Sequence, residues 1–126
     1  MRTQLKRVAE GAYATVWVTQ EVWAFIDAYD QPQHKATCQR HMKNFAAEGG
    51  KVIRNAEHFK NQGKFSVGNA GDKITIWVFK AHQLRVYGGF VPGTKDFVCT
   101  RFERKKSNKA KPTVLQAAAN AVWELK

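Results

Sequence analysis

The sequence predicts an α+β fold: a mostly antiparallel sheet with an N-terminal helical hairpin and a C-terminal helix, in the order β-α-α-β-β-β-α. Three observations predict it. Apolar residues recur at helical spacing in two stretches of the first half, a period of two takes over in three short runs of the second half, and helical spacing returns after Pro112. The 126 residues suit one domain, residues 1–126, with one modest core.

Ala12 to Val18 is aromatic and β-branched, which suits a first strand. Thr19 can cap a short helix, because Val22, Phe25, Ile26 and Tyr29 follow at one-face spacing, and Asp30-Gln31-Pro32 breaks it. A second helix is expected from about His34 to Glu48, with Cys38, Met42, Phe45 and Ala46 on one stripe and Gly49-Gly50 at its end. Lys51 to Asp72 reads either as helical turns or as turn chemistry around Asn61-Gln62-Gly63 and Gly68 to Gly71. Ile74 to Phe79, Leu84 to Val91 and Phe97 to Phe102 read as three strands joined by short hairpin connections. A last helix over about Thr113 to Leu125 presents Leu115, Ala118, Ala119 and Val122. The natural packing is one sheet with the helices over one face.

Charge narrows the function classes. Lys and Arg number 21 against 10 Asp and Glu, a formal net charge of +11, far more than solubility requires. A field of that sign recruits polyanions, with nucleic acid the commonest large one and an acidic protein the alternative. Cys38 and Cys99 belong to no CxxC or Cys/His cluster, and both are expected as small buried hydrophobes rather than as a disulfide or zinc site. His34 and His41 are seven apart without a third ligand, so no metal site and no cofactor are expected. No apolar run reaches the ~18 residues of a membrane span, and no signal-peptide region follows the basic start. A cytoplasmic protein with no membrane partner is expected. Phosphate-binding glycine loops, nucleophile elbows and HExxH are missing from the sequence, which leaves nucleotide hydrolysis, serine hydrolysis and zinc proteolysis unsupported.

Strand alternation sorts the candidate residues. Leu84, Val86 and Phe90 share one side of their strand and Arg85 and Tyr87 the other, Lys80 ends the series Ile74, Ile76, Val78, and Arg101 falls in line with Phe97 and Cys99. A cationic cluster of Lys80, Arg85, Arg101, Arg104, Lys105 and Lys106 around Tyr87 would suit a phosphate. Taken singly, each of these cations reads better as a solvated surface charge. The densest basic run, Arg101 to Pro112, includes Lys109 and leads directly into a helix, so it belongs within the fold. His82, in a hairpin connection beside Lys80, is the histidine placed to act on a bound phosphate.

Trp77-Val-Phe-Lys80, Leu84-Arg-Val-Tyr87, Phe97-Val-Cys-Thr-Arg-Phe102 and Lys105-Lys-Ser107, followed by Lys111-Pro112 and a helix, resemble the RelE/ParE toxin superfamily, and within it the HigB-like, phage-protein-like branch. The resemblance spans about residues 12–125 and is most specific from Lys80 to Pro112. It implies the toxin of a toxin–antitoxin pair, a metal-independent endoribonuclease acting on mRNA at the ribosome and held by an antitoxin protein. Cleavage in such toxins is by attack of the 2′-hydroxyl on the adjacent phosphorus. On that resemblance Arg85 is the phosphate clamp, Lys80 and Arg101 add charge, and Lys105 or Tyr87 takes part in proton transfer. His82, Arg104, Lys106 and Lys109 would then hold the substrate. The chain departs from the pattern in the spacing between Lys106 and Pro112, in a longer segment from Lys51 to Asp72, and in lacking a C-terminal tyrosine or histidine for the acid role. The superfamily also holds gyrase poisons, so a non-catalytic protein that inhibits gyrase or binds nucleic acid is the alternative.

Overall fold

A computed structural model describes residues 4–49, 58–105 and 110–126. Among the described residues six strands form one sheet: β1 (Leu5–Glu10), β2 (Thr15–Thr19), β3 (Phe59–Val67), β4 (Asp72–Ala81), β5 (Leu84–Phe90) and β6 (Asp96–Arg104). Their spatial order is β1-β2-β6-β5-β4-β3, with β2 parallel to β6 and every other neighbouring pair antiparallel. Helices α1 (Gln20–Asp27) and α2 (Pro32–Glu48) lie between β2 and β3, and α3 (Pro112–Trp123) follows β6.

The architecture is α+β as expected, with two corrections. The first is the order of elements, which gains β1 and β3 and becomes β-β-α-α-β-β-β-β-α. β1, Leu-Lys-Arg-Val-Ala-Glu, is a charged edge strand in which Ala9 alone is buried, and a register shift between Arg7 and Ala9 breaks its alternation. β3 is the opposite edge, buried only at Phe59 and Val67 and bulged between Asn61 and Gly63. Edge strands that are short of apolar residues carry little period-two signal. The first predicted strand accordingly begins late, at Thr15, because Gly11 to Ala14 form the β1–β2 turn. There a Cβ on Gly11 would stand 2.5 Å from the Ala46 carbonyl oxygen, so only glycine allows α2 to come this close.

The second correction concerns layering, since the helices cover both faces. α1 and α2 pack on one face, where Val22, Ile26, Cys38, Met42 and Phe45 meet Val16, Val18, Phe79, Leu84, Val86, Phe97 and Cys99. α3 packs on the other, where Leu115, Ala118, Ala119 and Val122 meet Ile74, Ile76, Val78, Tyr87 and Val98. β5 lies at the centre of this sandwich, and its residues from Leu84 to Gly89 are all buried. A strand covered on both sides has no solvent face.

Local signals hold where they are chemical. Thr19 caps α1, its hydroxyl oxygen accepting from the Val22 amide at 3.3 Å. Pro32 opens α2 rather than only ending what precedes it. Both cysteines are free and buried, and burial pushes the Cys38 thiol up to about 12 and raises that of Cys99 as well. Among the described residues no helix is long and apolar enough to cross a membrane.

Candidate functional site

The β4–β5 hairpin is the tightest turn at one end of the sheet. Ala81 pairs with Leu84, leaving His82 and Gln83 as a two-residue loop. His82 has φ 58°, while Gln83 does not share the positive angle. That combination matches a turn whose first central position usually belongs to glycine. Histidine tolerates the left-handed region better than most residues, but at some cost. The turn is tied down from two sides. The Lys105 amide donates to the Gln83 carbonyl at 2.8 Å, and the Arg85 guanidinium donates to the carbonyls of His82 and of Leu84, the latter at 3.1 Å.

A concavity of about 530 Å³ opens beside this turn. His82, Gln83, Arg104 and Lys105 form one wall, and Tyr29, Gln31 and His34, from the α1–α2 connection and the start of α2, form the other. The imidazoles of His34 and His82 stack across it, with ring centroids 3.8 Å apart and planes inclined by 20°. Arg104 reaches over the Tyr29 ring, 4.9 Å from its centroid, and its Nη1 meets Asp30 Oδ1 at 2.9 Å. Burial, helped by the neighbouring His82 and Arg104 and opposed by Asp30, lowers the pKa of His34 below its usual value. The shift favours the neutral form of the imidazole. The buried Tyr29 hydroxyl and His34 Nδ1 have no hydrogen-bond partner among the described residues.

A second polar group centres on Tyr87, which packs with α3 on the other face of the sheet. Tyr87 is buried and donates to Glu103 Oε1 at 2.7 Å, and Lys105 Nζ lies 3.9 Å from the same oxygen. Burial first, then the bond and charge of Glu103, raise the tyrosine pKa beyond the range of proton exchange near neutrality. Arg85 is buried and opposite Lys80, itself buried, in the β4–β5 register.

The predicted cationic cluster is therefore divided. His82, Arg104 and Lys105 share the concavity. Arg85, Lys80 and Tyr87 form its buried backing. Arg101 lies elsewhere, lining another concavity with Glu21 and Glu124, its Nη1 donating to the Thr100 carbonyl at 2.7 Å. A register shift between Tyr87 and Gly88 places Cys99 opposite Gly88 but Arg101 opposite Tyr87. Arg101 consequently leaves the side of Phe97 and Cys99 and joins that of Tyr87. Lys106 and Lys109 lie outside the described residues.

Sequence reasoning missed His34 and Tyr29 as partners of His82, and Glu103 as partner of Tyr87. For His34 a signal existed, a histidine in the first turn of an amphipathic helix, but only the tertiary fold brings it 48 positions along the chain to His82. No family model, curated protein or solved structure matches this chain.

Proposed function

We propose that the chain is a metal-independent endoribonuclease that cleaves mRNA, the toxin of a toxin–antitoxin pair, as its resemblance to RelE/HigB toxins implies. The observation that carries this reading is the stacked His34–His82 pair, which lines one concavity together with Arg104 and Lys105. Transesterification of RNA needs a base, an acid and stabilisation of the phosphorane's charge, roles that two imidazoles and two cations can fill. The 2′-oxygen attacks the adjacent phosphorus as the neutral His34 takes its proton. The P–O5′ bond breaks, His82 delivers a proton to the departing 5′-oxygen, and a 2′,3′-cyclic phosphate and a 5′-hydroxyl remain. Arg104 and Lys105 stabilise the doubly charged phosphorane between them. Arg85 holds the His82 turn rather than the phosphate. Acid, base and charge are all supplied by side chains, so the step needs no metal. The net charge of +11 favours polyanionic partners throughout, the ribosome and an acidic antitoxin included.

The test is cleavage of end-labelled RNA, free and in a ribosome–mRNA complex, in excess EDTA for the free RNA. Products ending in a cyclic phosphate are expected, together with a block by 2′-deoxy substitution at the cut position. His34→Ala and His82→Ala should each slow cleavage by about 10²–10⁴, the range for losing a positioned acid or base. An intact RNA in both settings, or full activity in the double variant, would overturn the reading.

A further inference from the structure

Ring contacts run unbroken from the His34–His82 pair to the protein surface. His34 neighbours Tyr29 (centroids 6.5 Å), Tyr29 meets Phe25 edge-on (5.6 Å), and Phe25 stacks on Phe102 at 4.1 Å with the planes inclined by 16°. Phe102 ends this series, and among the described residues it is one of two large hydrophobic side chains left exposed, at 37%. One ring face is spent on Phe25, and the side chain keeps enough exposed area to take a further contact. Phe102 and Arg104 stand two residues apart on the same side of β6, opposite Val86 and Leu84. That separation is about 6.5 Å along the strand, within the span of one nucleotide from its phosphate to its base.

On its far side Phe102 borders a second concavity of about 530 Å³, which also holds Arg101, Glu21 and Glu124. Two carboxylates there disfavour a phosphate but can accept from the exocyclic amino group of a base. The two openings thus differ in chemistry across a single aromatic ridge: cations and imidazoles on one side, mixed donors and acceptors on the other.

We infer that the Phe25–Phe102 pair is a stacking platform for one unpaired base of a single-stranded RNA whose neighbouring phosphate lies against Arg104 and Lys105. This rests on the endoribonuclease reading for its choice of RNA. An exposed aromatic ring already backed by a second ring is preorganised, so a base that joins the stack loses freedom without requiring the protein to lose any. Glu21 and Glu124 would favour adenine, cytosine or guanine, each with an exocyclic amino group, over uracil at that position.

The test uses a short single-stranded 2′-O-methyl RNA, which cannot be cleaved, carrying 2-aminopurine at successive positions. With the wild-type chain, 2-aminopurine fluorescence should be quenched at one position. Phe102→Leu keeps the apolar contact with Phe25 but removes the ring. It should abolish that quenching and weaken binding about tenfold, while Phe102→Tyr retains both. An abasic nucleotide at the same position should erase the difference between wild type and Phe102→Leu. Melting curves for each variant keep a folding defect apart from a binding one. Equal affinity and quenching in wild type and Phe102→Leu would overturn the platform, as would a wild-type chain that leaves every position unquenched. The nuclease reading is judged separately by the cyclic-phosphate assay: RNA cleaved with Phe102→Leu unaltered removes the platform alone, and quenching without cleavage removes the nuclease alone.

Discussion

His82 carries the conflict between folding and function most plainly. It occupies a left-handed turn position at φ 58°, where glycine would be unstrained. His82→Gly should therefore raise the melting temperature or leave it unchanged, yet lower cleavage by about 10²–10⁴. A variant that loses both stability and activity would make the residue a packing element instead. Arg85 is the reverse case. The resemblance makes it a phosphate clamp, on the strand side opposite Leu84 and Val86. In the structure it is buried, with its guanidinium bonded to the backbone of the His82 turn. Arg85→Ala should destabilise by about 1.5–3 kcal/mol, the worth of hydrogen bonds to a charged group, measurable by urea denaturation. Its activity loss should then be largely recovered at low temperature or in a stabilising osmolyte. A variant of wild-type stability with no activity would return Arg85 to the substrate.

At the scale of elements, legibility follows chemistry and burial. Thr19 as a cap, Gly49 after α2 and the apolar stripe of α3 could be read because each is a local requirement of a helix. β1 and β3 could not, since an edge strand needs few apolar residues and both carry bulges. The same limit governs the site. Alternation correctly set Arg85 apart from Leu84 and Val86, but a register shift between Tyr87 and Gly88 moved Arg101 from the side of Phe97 and Cys99 to that of Tyr87. A second histidine pair joins His41 of α2 to His58, just before β3, with the rings stacked at 4.5 Å. His41 is buried, its Nε2 has no partner among the described residues, and burial, with His58 and Arg40 nearby, lowers its pKa to about 4. An unfolded chain has its histidine near the usual ~6.5, so between those values the unfolded state binds the extra proton. The stability contributed by neutral His41 is complete above pH 6.5 and is lost as pH falls towards about 4. His41→Leu should flatten that decline in melting temperature, and an unchanged slope would place the acid sensitivity elsewhere.

For the molecule as a whole, helices on both faces of the sheet leave only its ends and edges for chemistry, and the His34–His82 opening lies at the end of the β4–β5 hairpin. The +11 charge acts everywhere at once, and by itself it draws RNA to any basic surface. Salt dependence separates that field from the site. Each phosphate neutralised on a single strand contributes about −0.7 to the slope of log K against log salt. Arg104→Gln and Lys105→Gln should each reduce the slope for single-stranded RNA by about that amount, because each removes a cation from the track. Lys73→Gln removes the same unit of charge from the exposed start of β4, outside the concavity. It should weaken binding slightly through the general field while leaving the slope nearly unaltered. His34→Ala should change neither, since a neutral imidazole releases no counterion. A slope that falls equally for Lys73→Gln and Arg104→Gln would mean that RNA is held by the whole surface, and that the concavity does not define the path of the strand.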